Sequence, residues 1–174
     1  MSPRRVLVSV AIALTVAAGL VSVPSAASAN PGAPAPAIPA GAILLSTKTG
    51  HFTRVSSRAN AVTPDTPSTD CSANVSIYRI GSVIYGSAAA DCTYNVDTMR
   101  VSVGLYRSRW FGWEGVGNPG TVTENNTSFE IANSGYGCAG TGTHNYLASG
   151  SAFILYQGDG YYFSDSDEID NQSC

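Results

Sequence analysis

Basic residues are scarce in this chain. Its 174 residues contain 9 Lys and Arg against 12 Asp and Glu, and charged residues make up only 12% of the total. A surface that binds nucleic acid needs a cluster of Lys and Arg to neutralise phosphates, and the sequence has no such cluster. The composition therefore argues against a nucleic-acid partner.

Common catalytic and metal-binding motifs are also missing. The sequence has no G-x-S-x-G elbow, no H-E-x-x-H zinc motif, no P-loop and no C-x2-C pair. His144 is the only histidine after residue 70, and a histidine base needs an acid and a nucleophile beside it. We predict no catalytic residue, no cofactor and no metal site. A small secreted hydrolase that uses His144 is kept as an alternative.

The N-terminal 29 residues have the pattern of a secretory signal peptide. Two arginines precede an apolar run over 6–23, and Ala-Ser-Ala at 27–29 is a small-x-small cleavage site. We therefore predict a signal peptide over 1–29 and a secreted, extracellular protein. No membrane association is expected after the signal is cleaved.

Residues 30–67 have the composition of a linker. Pro and Ala dominate 30–40, and 63–68 is a second stretch rich in Pro, Thr and Ser. Because this region is too small to bury a core of its own, we predict a tail, a linker or a removable propeptide. The alternative is a short strand pair formed by 42–45 and 51–55. The folded domain is predicted to span 68–174.

From residue 71 onward the sequence is typical of an all-β domain. Segments rich in Val, Ile, Tyr, Thr and Phe alternate with turn residues, and no window has a sustained 3.6-residue apolar period. We predict an antiparallel β-sandwich of about eight short strands, near 73–80, 83–91, 98–106, 120–124, 127–132, 139–147, 151–157 and 161–169. The third strand is predicted to be central, with one face on the core formed by Met99, Val101, Val103 and Leu105.

The four cysteines are predicted to form two disulfides, as expected in an oxidising compartment. Gly81-Ser82 has the residues of a two-residue hairpin turn, which sets the register of the strands on either side. Counting back from that turn places Cys71 opposite Cys92 at a non-hydrogen-bonded position, where Cα atoms are about 4.5 Å apart. Cys138 and Cys174 then pair by elimination.

A second two-residue turn is predicted at Asn125-Asn126. It would place Val122 across from Phe129 on the neighbouring strand. An aromatic residue opposite a β-branched one is a favourable cross-strand pair, and that match supports the predicted turn.

The order of these features resembles small secreted two-disulfide proteins of actinobacteria. The similarity covers about Cys71 to Cys174 and rests on the cysteine framework and on the segment Gly-Thr-Gly-Thr-His-Asn-Tyr over 140–146. The resemblance implies a β-sandwich and does not supply an activity.

An aromatic cluster carries the functional prediction. Four aromatic residues lie within eight positions beside two arginines, and they include both tryptophans of the chain: Tyr106, Trp110, Phe111 and Trp113. Aromatic faces stack on sugar rings, and neighbouring polar groups bind sugar hydroxyls. We therefore predict ligand binding by Tyr106, Trp110 and Trp113, with a saccharide or the cell wall as the partner. The alternative is that the aromatics plug the end of the core.

The predicted function is that of a secreted, non-enzymatic domain that acts by binding or by surface interaction. A secreted protease inhibitor is a further alternative, because 107–119 could form an exposed and rigid inhibitory loop.

Overall fold

The computed structural model describes residues 38–56 and 70–174, and these residues form an antiparallel sheet. The predicted signal peptide, the segments 30–37 and 57–67 of the predicted linker, and residues 68–69 of the predicted domain lie outside the described residues. The strands are β1 (Ile43–His51), β2 (Thr53–Ser56), β3 (Cys71–Ile80), β4 (Val83–Arg109), β5 (Gly112–Gly137), β6 (His144–Tyr156) and β7 (Asp159–Gln172).

The sheet is nearly closed and barrel-like. Hydrogen-bonded neighbours follow the order β1-β3-β4-β6-β7-β2, and β5 pairs with β4. β1 and β2 stand at the opposite ends of this order, but only Phe52 separates them along the chain. One continuous stretch of chain therefore forms both end strands. The all-β class and the antiparallel pairing are thus confirmed. The sandwich and the count of eight strands are not confirmed, and seven strands are present in the described residues.

The β3–β4 hairpin has the predicted register. Gly81 adopts the positive φ of +55° that this turn needs, and the ladder runs from the closing pair of Ile80 and Val83 to Cys71 opposite Cys92. The two cysteines form a disulfide with Cα atoms 4.1 Å apart. A local turn signal therefore sets the pairing of residues 21 positions apart.

β4 is the central strand, as predicted. Met99, Val101, Val103 and Leu105 are each at most 2% exposed, and β5 and β6 flank this half of the strand. The first half of β4 pairs instead with β3 and β5, and the ladder is irregular between Asp91 and Val96. One strand of 27 residues thus takes part in both halves of the sheet.

The two halves of the sheet face each other across the core. A Cβ atom on Gly150 of β6 would lie 2.6 Å from Val75 of β3 and 2.9 Å from Ala88 of β4. Only a residue without a side chain lets β6 pack this closely against the side chains of Val75 and Ala88. The core is filled by the inward-facing residues of both halves.

The turn predicted at Asn125-Asn126 is wrong. Asn126 does adopt a positive φ of +53°, but β5 continues through it. Val122 pairs with Val101 and Phe129 pairs with Asp91, so both sides of the predicted turn bond to β4. The exposed edge of β4 offers hydrogen-bond partners to the whole of β5, whereas a hairpin would leave that edge unpaired.

The sheet begins before the predicted boundary at residue 68. β1 pairs with β3 from Ile43 to His51, and β2 pairs with β7. Phe52 between them is 2% exposed and contacts the ring of Phe163, with centroids 6.1 Å apart. The alternative, in which the two segments form a strand pair with each other, is therefore wrong. Each segment completes a core that the later strands supply.

The second disulfide joins Cys138 to Cys174, which is the predicted pair, with Cα atoms 5.6 Å apart. The backbone N–H of Cys138 donates to the carbonyl oxygen of Ser82 at 2.9 Å. Arg79 donates to the carbonyl oxygen of Ser173 at 3.0 Å. The C-terminus is therefore held against the β3–β4 turn.

Candidate functional site

Trp110 and Phe111 form the two-residue turn between β4 and β5. Arg109 and Gly112 close the hairpin, and Gly112 adopts a φ of +119° that favours glycine. Trp110 is 95% exposed and Phe111 is 60% exposed, and their rings pack edge to face with centroids 5.3 Å apart. Trp113 lies beside them at 41% exposure. We call Trp110, Phe111 and Trp113 the aromatic tip.

The aromatic tip does not plug the core, so the alternative of a structural plug is wrong. The core contains other aromatic residues, each at most 6% exposed: Phe52, Tyr146, Tyr161 and Phe163. Tyr146 occupies the inner face of β6 near the tip and pairs with Arg107. Nearly all of the apolar surface of Trp110, and a smaller part of that of Trp113, is therefore available to a partner.

Charged side chains brace the base of the aromatic tip. Glu114 accepts a hydrogen bond from Nε of Arg107 and another from Nε of Arg109, both at 2.7 Å. Arg107 also donates to the hydroxyl oxygen of Tyr136 at 2.7 Å. The hydrogen bonds from Arg109 and Arg107 lower the pKa of the Glu114 carboxyl below its usual range. Glu114 therefore stays ionised, and it links the two strands directly behind the turn.

Tyr106 lies on the outer face of β4, the face that also carries Trp113. Tyr106 pairs with Gly115, and the next pair on this face is Ser108 with Trp113. A Cβ atom on Gly104 would be 3.0 Å from the Tyr106 hydroxyl oxygen, so the ring lies along the sheet above that glycine. Tyr106 is half-buried and lies outside the tip, and its side chain lines the adjacent groove.

That groove has a volume of about 300 Å³ and opens on the outer face of the sheet. A row of hydroxyl groups crosses it, because Thr121 pairs with Ser102, Ser102 with Ser151, and Ser151 with Ser164. We call it the serine groove. Its lining residues are Ser102, Val103, Gly104, Tyr106, Pro119, Gly120, Thr121, Ser149, Gly150, Ser151, Tyr162 and Ser164.

Sequence reasoning did not find the serine groove. Its hydroxyl row comes from β5, β4, β6 and β7, and single serines in alternating strands carry no local motif. The only available signal is the outward position of Ser102 in the alternating strand. Its neighbours in the row follow only from the pairing of distant strands.

His144 begins β6 and is bound to a nearby turn. Its Nε2 lies 2.9 Å from the carbonyl oxygen of Thr141, and its ring packs edge to face with Tyr146. A carbonyl oxygen only accepts, so Nε2 carries the proton and donates it. No carboxylate or hydroxyl side chain is bonded to His144 in the part of the chain that the structure describes.

The acidic residues near the C-terminus are dispersed by the alternation of β7. Asp167 is buried on the inner face, whereas Glu168 and Asp170 are exposed. Within residues 38–56 and 70–174, no three His, Cys, Asp or Glu side chains are grouped closely enough to hold a metal ion. The same residues contain no helix with the length and hydropathy needed to cross a membrane.

Comparison of the chain with protein-family models, curated proteins and solved structures gives no match.

Proposed function

We propose that this protein is a secreted, non-enzymatic domain that binds a saccharide of the cell wall or of another extracellular surface through its aromatic tip. The observation that carries the proposal is the position of Trp110, which is 95% exposed at the turn of a hairpin. Large aromatic residues usually bury most of their surface. Exposed aromatic surface grouped at one point is typical of a binding site.

The support beneath the aromatic tip favours binding. Glu114 joins Arg107 and Arg109, and these residues belong to paired strands. A tip held by such contacts loses less conformational freedom on binding than a mobile loop would lose. Arg109 is exposed, so part of its guanidinium remains available to donate hydrogen bonds to a sugar hydroxyl.

The proposed location is extracellular. Two disulfides persist in oxidising compartments and are rare in the cytosol. The signal-peptide pattern over 1–29 and the resemblance to secreted actinobacterial proteins support the same location. We also propose that the facing halves of the sheet pack as a sandwich, supported by the close approach of Gly150 to Val75.

Neither alternative activity gains support from the described residues. An inhibitory loop needs an extended, unpaired segment, but 107–109 and 112–116 are paired in the β4–β5 ladder. The unpaired positions of 107–119 are thus divided into a run of two residues at the turn and a run of three at 117–119, where the ladder is irregular. Catalysis by His144 would need a neighbouring acid and nucleophile, but among the described residues its side chain contacts the Thr141 carbonyl and the Tyr146 ring.

Substitution of the tip tryptophans tests the proposal. We expect Trp110→Ala and Trp113→Ala to weaken retention on insoluble cell-wall polysaccharide by about 1–3 kcal/mol each, because each removes a stacking surface. The thermal midpoint of Trp110→Ala should stay close to that of the wild type, because Trp110 is 95% exposed and little buried surface is lost. Trp113 is only 41% exposed, so Trp113→Ala should lower the midpoint more. Pull-down isotherms and melting curves measure the two effects.

Phe129→Ala is the matched control, because Phe129 is 39% exposed on β5 but lies outside the tip. This variant should bind as the wild type does. Absence of wild-type binding to every polysaccharide tested would refute the proposal. So would equal loss of binding in the control.

A further inference from the structure

We propose that the serine groove is a second subsite, which binds a neutral, hydroxyl-rich sugar chain that continues onto the aromatic tip. This inference rests on the proposed saccharide function and names the class of ligand. The groove and the tip open on the same outer face, and Tyr106 lines the groove. Four observations support the proposal.

The first observation is the row of hydroxyl groups. Neighbouring strands are about 4.8 Å apart, so the row from Thr121 to Ser164 spans roughly 14 Å. Only Thr121 and Ser102 are hydrogen-bonded to each other within the row, at 3.1 Å. In the described residues, the hydroxyls of Ser151 and Ser164 have no protein hydrogen-bond partner. A hydroxyl both donates and accepts, which matches the hydroxyls of a sugar.

The second observation is the pair of tyrosines in the lining. Tyr106 lies along the sheet, and Tyr162 of β7 is 41% exposed. Each tyrosine offers an apolar ring face together with a polar hydroxyl. Five of the lining residues carry Ser or Thr hydroxyls and the two tyrosine rings add apolar faces, a combination that suits the polar and apolar surfaces of a sugar. A volume of about 300 Å³ suits a short oligosaccharide segment.

The third observation is the absence of charge in the groove. None of its lining residues is Asp, Glu, Lys, Arg or His. A charged ligand would lose hydration there without meeting an opposite charge, which is unfavourable. The groove therefore favours a neutral glycan over an anionic polymer.

The fourth observation is the continuity of the groove with the tip. Ser108 pairs with Trp113 two residues along the strands from the pair of Tyr106 and Gly115. Both pairs lie on the same face. Two residues of a strand span about 7 Å. A chain that lies in the groove and passes Tyr106 therefore reaches the ring of Trp113 without crossing the core.

The test uses the mature protein and short neutral probes. Calorimetry is performed with cellotetraose, maltotetraose and tetra-N-acetylchitotetraose, and with tetragalacturonate as the anionic probe. We expect at least one neutral probe to bind and tetragalacturonate to bind at least about tenfold more weakly. Tighter binding of tetragalacturonate would overturn the assignment of a neutral ligand.

Groove variants locate the probe. Tyr162→Ala should weaken the affinity for the neutral tetrasaccharide by about tenfold or more. Ser151→Leu should abolish tetrasaccharide binding, because the leucine side chain fills the groove. The matched controls are Phe129→Ala, of nearly equal exposure to Tyr162, and Thr123→Leu on the same outer face. Ser151→Ala is the second variant if the leucine prevents folding, and it should also weaken binding.

The outcomes separate this inference from the proposed function. If Trp110→Ala lowers retention on the polymer while Tyr162→Ala and Ser151→Ala leave tetrasaccharide affinity unchanged, the tip binds and the groove proposal is wrong. If only the groove variants lose affinity, the groove binds and the tip proposal is wrong. If no neutral probe and no polymer binds to the wild type, both are wrong.

Discussion

Asp167 is a carboxyl group buried where β7 meets β1. It is 2% exposed, and the hydroxyl of Ser46 donates to its Oδ1 at 2.8 Å. Within residues 38–56 and 70–174, its Oδ2 has no hydrogen-bond partner. Burial raises the pKa of Asp167 above its usual range, and the hydrogen bond from Ser46 and the charge of Lys48 oppose that shift only in part. Asp167 thus costs stability when it is ionised.

The Asp167→Asn variant should be more stable than the wild type at pH 7, by on the order of 1 kcal/mol, because no charge is then buried. The folded wild type holds its Asp167 proton more tightly than the unfolded chain does. Its free energy of unfolding therefore falls as the pH rises from the unfolded pKa of about 3.9 to the higher folded value. The difference in free energy of unfolding between the variant and the wild type should thus be smaller at pH 3 than at pH 7. Urea unfolding between pH 3 and pH 8 measures it.

Asp170→Asn is the control for the substitution itself, because Asp170 is exposed near the end of the same strand. At pH 7 it should change the free energy of unfolding by no more than about 0.5 kcal/mol. A variant at Asp167 that is less stable than the wild type at pH 7 would contradict the argument. It would show that attraction to Lys48 outweighs the cost of burial.

At the scale of single elements, β5 is shaped by close approaches of its own backbone. A Cβ atom on Gly117 would overlap the carbonyl oxygen of Gly135, and one on Gly120 would overlap that of Asn133. The β4–β5 ladder is also irregular between Val103 and Leu105, opposite this segment. The two halves of β5 therefore touch through backbone atoms, where no side chain can move aside.

We expect Gly120→Ala to destabilise the protein by at least about 2 kcal/mol, because the overlap is with backbone and forces β5 to shift. The thermal midpoint should fall by on the order of 10 °C. Gly137→Ala in the same strand is the control, since its Cβ atom would meet nothing within 4 Å. Melting curves that show equal midpoints for the two variants would mean that β5 adjusts without cost.

At the scale of the whole molecule, two kinds of contact close the sheet. β1 reaches β7 through the Ser46–Asp167 hydrogen bond and through Lys48, which donates to the carbonyl oxygen of Ser166 at 2.7 Å. Arg54 forms an ion pair with Asp159 at 2.5 Å where β2 pairs with β7. The disulfides act on the chain as a covalent framework in addition to these contacts.

Removal of the Cys138–Cys174 bridge by the double substitution to Ser should cost about 4 kcal/mol, because the bridge closes a loop of 36 residues and limits the unfolded chain. The shorter Cys71–Cys92 loop of 21 residues predicts a slightly smaller cost of about 3 kcal/mol. Denaturant unfolding of each double variant measures both. A clearly larger cost for the shorter loop would show that burial of Cys71, rather than chain entropy, dominates.

Several features of this protein could be predicted from the sequence because their causes are local. The turn at Gly81-Ser82 sets the register of one hairpin, and simple counting then pairs Cys71 with Cys92. The alternation around Val101 identifies the core face of a central strand. Both signals act between near neighbours, where the period of a strand and the chemistry of a turn leave few alternatives.

The tertiary structure decided what depends on distant partners. β5 continues as a strand where a turn was predicted, because β4 pairs with both halves of β5. Residues 43–56 join the sheet because β3 and β7 have free edges that pair with β1 and β2. The exposure of Trp110 and the hydroxyl row of the serine groove follow from the same pairings. Hydrogen bonding between strands depends on which backbones meet. Residue types alone specify the choice of strand partner only weakly when polar and apolar residues alternate in every strand.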